Sequence, residues 1–465
     1  MAIVDAKEEH VDPQLSRIAQ DDKKIWYKKP NLRFLYLILI PTGLGVEWTS
    51  GFDSSMMNSL QAVDSWFNYF GRPDSSRLGL LNAMYSLGAL MAIPFVPFVS
   101  QRLGRRRTIL FGSWIMVLGA GIQAGSRNSD MFLASRWVLG FGIPFAIINA
   151  SSLIGELSYA KERPIMTSLF NASWFVGAIV AAGITYGTFQ MSSTWAWRIP
   201  SLLQLVPSFC QITFMPFCPE SPRWLISKDR GDEAYAILQK YHSEGENGDE
   251  FVRLEYAQIL TTIQQEKEVA SKFAWADVFR DAAMRRRFML AAIMGFFTQW
   301  SGNGLISFYM KKILNLVGIT NNRTVQKIIL SNTCWARFAI ENSTRAAIPV
   351  LVFIYAYSPA KGIAMEQLTV RFAVFFNTYV NPIALDSIGW KYYIVYCVWI
   401  LVEIATIYLI FPETYGRTLE ELSFMFEGKE VQDKVQKNTQ KVLQVELEDI
   451  GPRPGSQEAP KDTKV

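Results

Sequence analysis

The sequence predicts an all-α polytopic membrane protein: a six-helix bundle, then an incomplete second bundle, about ten spans in all. Three observations carry this. Half of the 465 residues are hydrophobic, gathered into segments of about 18–25 residues with few charges. That length lets a helix cross roughly 30 Å of hydrocarbon, and lipid, which offers backbone amides and carbonyls no partner, makes such segments helical. A polar block from Pro219 to Arg287 divides the apolar chain in two. Basic residues sit at alternate segment ends, so the net charge of +5 reports orientation and not nucleic-acid binding.

Residues 1–33 read as a cytoplasmic tail. Lys23, Lys24, Lys28, Lys29 and Arg33 precede the first span and place that end inside. No secretory signal is read there, and the first span serves for insertion. Residues 34–218 form the first bundle, with spans near 34–57, 78–99, 109–124, 132–153, 166–186 and 199–218. A tight basic turn, Gln101 to Arg107, links the second and third. Residues 219–287 form a cytoplasmic linker, in which Phe251, Leu254, Ile259 and Ile263 recur at near-helical spacing.

The second bundle, residues 288–411, is short. A span at 288–310 is clear, and the sequon at Asn322 follows on the expected outer face. Thr324 to Arg345 carries four charges and is a poor spanning candidate; Ala346 to Tyr357 is apolar but too short. Spans near 368–385 and 392–411 complete the half. It fills 124 positions against 185 in the first, a shortfall of about two spans with their loops. Residues 412–465 read as a cytoplasmic tail, mostly disordered. An internal echo, Pro219-Glu220-Ser221 after one span and Pro412-Glu413-Thr414 after another, suggests parallel repeats.

Four cysteines show no metal or disulfide spacing and read as buried small hydrophobes, while His10 and His242 read as exposed. No nucleophile, metal or cofactor constellation indicates an enzyme.

The motifs resemble the sugar porter family of the major facilitator superfamily. They are Gly51-Phe52-Asp53, Gly104-Arg105-Arg106, Arg136, Glu156, Pro219-Glu220-Ser221-Pro222-Arg223-Trp224-Leu225 and Pro412-Glu413-Thr414-Tyr415-Gly416-Arg417-Thr418. Gln299-Trp300-Ser301-Gly302-Asn303 and the run Phe375 to Pro382 look like the fungal hexose and lactose-permease-like branch. Two departures stand out. Gln101 replaces the acid that usually opens the basic turn. The basic turn between spans eight and nine and the aromatic stretch of span ten are absent, so the resemblance and the count both predict a chain lacking part of its second bundle.

Asp53 lies inside an apolar segment, where a charge costs at least about 2.5 kcal/mol and usually borders a cavity. The resemblance implies that Asp53 takes the coupling proton and that Arg136 sets its affinity; a static buried pair is the plainer alternative. Glu47, about 240° round the helix from Asp53, is read as nearer the outer mouth; it and Glu403 are open between functional and structural roles. By resemblance Asn171, Gln299 and Asn303 line a sugar cleft, since amides both donate and accept without a charge to desolvate; lone amides also join helices. Trp174 and Trp300 read as packing residues. Arg105, Arg106, Glu156, Arg163, Glu220 and Arg223, with Glu413 and Arg417, are expected to form inner-face pairs that latch the halves, or simply to set topology. Gly140 and Gly142 read as close-packing glycines.

The resemblance implies sugar:proton symport by alternating access. A non-transporting sensor and an inactive truncated carrier are the alternatives. Expected partners are a hexose or disaccharide, protons and the lipid bilayer, with no nucleic acid and no cofactor. The expected setting is the plasma membrane, as a monomer with both termini cytoplasmic.

Overall fold

The computed structural model describes residues 22–245, 248–272, 282–340 and 359–410. The first span is α1 (Pro30–Leu39), a π-helical turn (Ile40–Leu44) and α2 (Gly45–Leu60). Pro41 lacks the amide that a regular turn would use there. After a short α3 (Asp64–Tyr69), the chain continues through α4 (Ser75–Ala92) and α5 (Val96–Leu103), then α6 (Arg105–Ala124), α7 (Ser129–Leu157) and α8 (Arg163–Thr188). Helices α9 (Trp195–Leu203) and α10 (Leu205–Phe214) make the sixth span. The linker holds α11 (Pro222–Ser227), α12 (Gly231–His242) and α13 (Gly248–Lys272). The second half is α14 (Ala282–Trp300), α15 (Asn303–Leu316), α16 (Asn322–Ile340), α17 (Pro359–Ile388) and α18 (Tyr392–Ile410).

Starts are set by side-chain caps. The Asp74 carboxylate accepts from the Arg77 amide at 3.0 Å, and Asn128 Oδ1 accepts from that of Met131 at 2.8 Å. Among the described residues five helical runs are long and apolar enough to cross a membrane; the last, Leu368–Leu409, contains two helices.

Thr324 to Arg345 reads from sequence as a poor spanning candidate; up to Ile340, where the described residues stop, it lies in α16, which packs on α8 and is not among the runs apolar enough to cross a membrane. Its charges interrupt the apolar run but leave one apolar stripe, with Val325 and Ile329 buried. A composition window misses such a stripe because helix burial needs one face only.

Close backbone contacts lock the first bundle. A Cβ on Gly140 would lie 1.9 Å from the Tyr85 carbonyl oxygen, and one on Gly88 2.2 Å from that of Trp137, so α4 and α7 cross at a reciprocal glycine contact. Gly51 and Gly177 do the same for α2 and α8, against the carbonyls of Trp174 and Trp48. Gly140→Val is therefore expected to separate α4 from α7 and abolish monodisperse protein in detergent size-exclusion chromatography, whereas Gly183→Val, where a Cβ meets open space, leaves the profile unchanged.

Between the halves, α4 packs on α17 and α8 on α16. Helix α4 is the second span of its half and α8 the fifth. If the halves are parallel repeats about a twofold axis, α16 is a second span and α17 a fifth. On that correspondence, the third and fourth spans of the first half, α6 and α7, have no counterpart among the described residues of the second.

Candidate functional site

The end of the bundle carrying the 101–107 turn is called the basic end here. In the far half of its depth, α2 and α7 bring Asp53 and Arg136 into an ion pair, each side chain 1% exposed. Gln204 Nε2 of the sixth span donates to the same carboxylate oxygen at 3.0 Å. Arg136 Nε donates to the Leu81 carbonyl at 3.3 Å, and its guanidinium lies 5.0 Å from the Tyr85 ring centre. Asp53 Oδ2 is buried without a hydrogen-bond partner. Oδ1, by contrast, accepts from two donors. Gln204 and Tyr85 went unnamed from sequence. An amide in an apolar span was the available signal for Gln204.

The halves close on each other at the far end. Gln61 Nε2 donates to the Phe308 carbonyl at 2.7 Å, Lys311 Nζ to that of Gln61 at 2.9 Å, and Gln326 Nε2 to that of Ser59 at 2.8 Å. Asn82 Nδ2 donates to the Tyr309 hydroxyl at 3.1 Å, which itself donates to the Thr378 carbonyl. Tyr309 sits at a kink in α15 (φ −132°, ψ 27°), which brings that helix across the end of α2. Asn322, the sequon residue, donates to both carboxylate oxygens of Asp64, at 2.8 and 2.9 Å.

The three amides expected to line a cleft separate. Asn171 is exposed on α8. Gln299 is half-buried, and its carbonyl accepts from Asn377 Nδ2 at 2.8 Å. Asn303 opens α15, and its side chain lies outside the described residues. Asn377 and Asn381 both accept from the Tyr396 hydroxyl, at 3.0 and 2.8 Å, so the second bundle carries its own amide cluster. Trp300 Nε1 donates to the Ala373 carbonyl at 3.2 Å, a packing contact. Cys397, read as buried, is exposed on α18.

At the basic end the expected latch takes another form. Glu220 accepts from the backbone amides of Arg105 and Arg106, at 3.0 and 3.2 Å, an anion at the start of α6. Gly104 (φ +87°) permits this, since a Cβ there would lie 2.5 Å from Glu220 Oε2. Arg105 pairs with Glu156 at 3.4 Å, and Glu156 also accepts from Ser221. Arg106 donates to the Cys218 carbonyl at 3.1 Å, and Arg223 lies in the first turn of α11. Arg163 pairs with Glu255 at 3.4 Å. These pairs clamp the linker to the first bundle and do not bridge the two halves. Glu413 and Arg417 lie outside the described residues.

His242, read as exposed, is 2% exposed. Its Nδ1 lies 2.6 Å from Glu255 Oε2 and its Nε2 3.2 Å from the Leu157 carbonyl. The polar linker sequence concealed this because α12 and α13 fold onto the bundle end, which covers the ring. Burial alone would raise the Glu255 carboxyl; the His242 imidazole and then Arg163 outweigh it and hold the group below its usual range. A depressed carboxyl stabilises above its unfolded value, about 4.3, and that contribution is lost as pH falls through the folded value. The linker is thus expected to dock at neutral pH and to loosen only in acid below the ordinary glutamate range, read by hydrogen exchange of α12. His242→Ala is expected to cost about 2 kcal/mol of docking, because it removes one charge-assisted hydrogen bond from the buried Glu255 carboxylate and leaves Arg163 as its partner.

Glu47, read from sequence as nearer the outer mouth, lies towards the basic end: α2 runs from that end outward, and six residues of helix place Glu47 about 9 Å below Asp53.

Two helical bundles joined by a folded linker, with a sealed ion pair at depth and polar contacts where the bundles meet, define a polytopic membrane transporter. The chain belongs to the sugar (and other) transporter family, whose family model matches residues 40–341. It is 25% identical to the MFS-type transporter criB of Aspergillus cristatus over 81% of this chain and 90% of that protein. It is 24% identical to a high-affinity glucose transporter of Kluyveromyces lactis, over 86% and 87%. Among solved structures, the proton:xylose symporter XylE bound to 6-bromo-6-deoxy-D-glucose superposes with a TM-score of 0.66 at 18% identity, covering 85% of this chain and 100% of that one. The inward-open xylose transporter of E. coli gives 0.59 at 16% identity, over 84% and 100%.

Proposed function

We propose that this protein is a sugar:proton symporter working by alternating access, with Asp53 as the proton site and Arg136 setting its affinity. The carrying observation is the Asp53–Arg136 pair, sealed at depth with one carboxylate oxygen unpartnered. The vacant oxygen can take a proton without breaking a hydrogen bond. The named glucose transport of one relative and proton:xylose symport of one structural neighbour support this reading. With both termini cytoplasmic in the plasma membrane, the far-end contacts describe the outward-closed state. Gln299, Asn303 and Asn171 are the sugar-binding candidates, and Asn377 joins them.

The test is labelled-hexose uptake into proteoliposomes with and without a proton uncoupler. Uptake against a gradient that the uncoupler abolishes is the expected result; uptake indifferent to it rejects coupling. Gln299→Ala is expected to weaken sugar binding about tenfold, the worth of one or two lost hydrogen bonds, with protein yield unchanged. One observation favours a second reading, a binder that does not transport: the described second half lacks counterparts to two spans. Hexose binding without counterflow would select it.

A further inference from the structure

Two adjacent asparagines open α16, and their side chains take different partners. Asn321 caps its own helix: its Oδ1 accepts from the Arg323 amide at 2.9 Å and its carbonyl from the Val325 amide at 3.0 Å. Asn322, the first residue of the sequon, reaches out of the helix to the first half. Its Nδ2 lies 2.8 and 2.9 Å from the two carboxylate oxygens of Asp64, the residue that starts α3.

Helical spacing explains that direction. Residues 322, 325, 326 and 329 stand at i, i+3, i+4 and i+7, one face of α16. On that face Val325 and Ile329 are buried with Met310 against Ala62 of the first half, and Gln326 Nε2 donates to the Ser59 carbonyl at 2.8 Å. Asn322 therefore continues the stripe by which the second half meets the outer end of the first span. Thr324, which completes the sequon, lies off the stripe and is exposed.

An N-linked sugar is carried on the asparagine side-chain nitrogen and is bulky. In Asn322 that nitrogen already touches the carboxylate of the other half, so the first ring of a glycan would begin inside the contact and push Asp64 away.

We propose that Asn322 is a closing tie between the halves, and that the tie and a glycan exclude each other: wherever the far end is closed, Asn322 is unmodified and its sequon idle. The charge-assisted bond to Asp64 stands at the rim of the apolar contact around Ala62 and adds to the hold of the stripe. That this end opens in a transport cycle rests on the reading above; the tie itself does not.

The experiment uses the full-length chain in lipid nanodiscs with Ala62→Cys as reporter, because Ala62 is 1% exposed while the end is closed. Labelling by a water-soluble maleimide is followed on that peptide by mass spectrometry. Asn322→Ala and Asp64→Ala are each expected to speed labelling about fivefold, the worth of one lost hydrogen bond, and the double variant no more than either single. Thr324→Ala destroys the sequon and keeps the tie, so it is expected to label at the unaltered rate. Asn322→Lys also lacks the sequon but meets Asp64 with the opposite charge, and is expected to stay slow. Cys218, buried in the first bundle, reports on the same molecules: its continued protection distinguishes opening from unfolding. The peptide carrying Asn322, from protein made in a fungal host, is expected at its unmodified mass. Equal effects of Asn322→Ala and Thr324→Ala, single effects that multiply in the double, or a glycan on Asn322 of protein whose reporter stays protected would overturn the proposal. Hexose counterflow of the wild type is read separately: its absence fails the transport reading and leaves the tie to be decided by labelling.

Discussion

Proteoliposomes carrying Asp53→Asn are expected to lose proton-driven sugar accumulation and to keep sugar exchange. The substitution leaves the shape of the side chain and its contact with Gln204 in place and removes only the group that takes a proton. A carrier without that group cannot tie the proton gradient to the sugar gradient, so the accumulation ratio falls to about one, whatever the driving force. Exchange needs only the loaded carrier to rock between its two faces, so it survives. The measurement is uptake driven by an imposed pH gradient, set beside counterflow at equal pH. Undiminished accumulation in Asp53→Asn would remove Asp53 from the coupling role and leave a static pair.

Arg136→Ala is expected to do more damage than Asp53→Asn. Arg136 and Asp53 are each 1% exposed, so removing the guanidinium strands a buried carboxylate whose remaining donor is Gln204. Breaking a buried pair from one side costs about 3–5 kcal/mol, a large share of the stability of an ordinary domain. The yield of monodisperse protein should collapse. Asp53→Leu with Arg136→Met should restore it, because two apolar side chains leave no charge to desolvate, while accumulation stays lost. The thermal midpoints of the wild type, Asp53→Leu, Arg136→Met and the double variant form a double-mutant cycle. Additive effects would mean that the two residues do not act as a pair.

Much of the fold was legible because membrane insertion writes itself along the chain. Length and apolarity of successive segments, with basic residues at alternate ends, mark helices before any contact between them is known. The same local signal marked Thr324–Arg345 as a poor span, and its charges still leave one stripe that packs on α8. It failed at His242, polar in sequence yet covered by the end of the first bundle. Asp53 was legible as a charge out of place, and Arg136 through the family resemblance.

The chain's own order of apolar and charged residues determined that it is helical and crosses the membrane several times, and that an acid sits inside an apolar segment. Tertiary structure alone decided which charges meet. It put Gln204 on Asp53, turned Asn171 to an exposed face, and used the basic-end arginines to hold the linker. The physical reason is that hydrophobicity acts residue by residue along a helix. Partner choice depends on the rotation and crossing of helices, set here by reciprocal glycine contacts between positions such as Gly88 and Trp137 or Gly51 and Trp174, far apart in the chain.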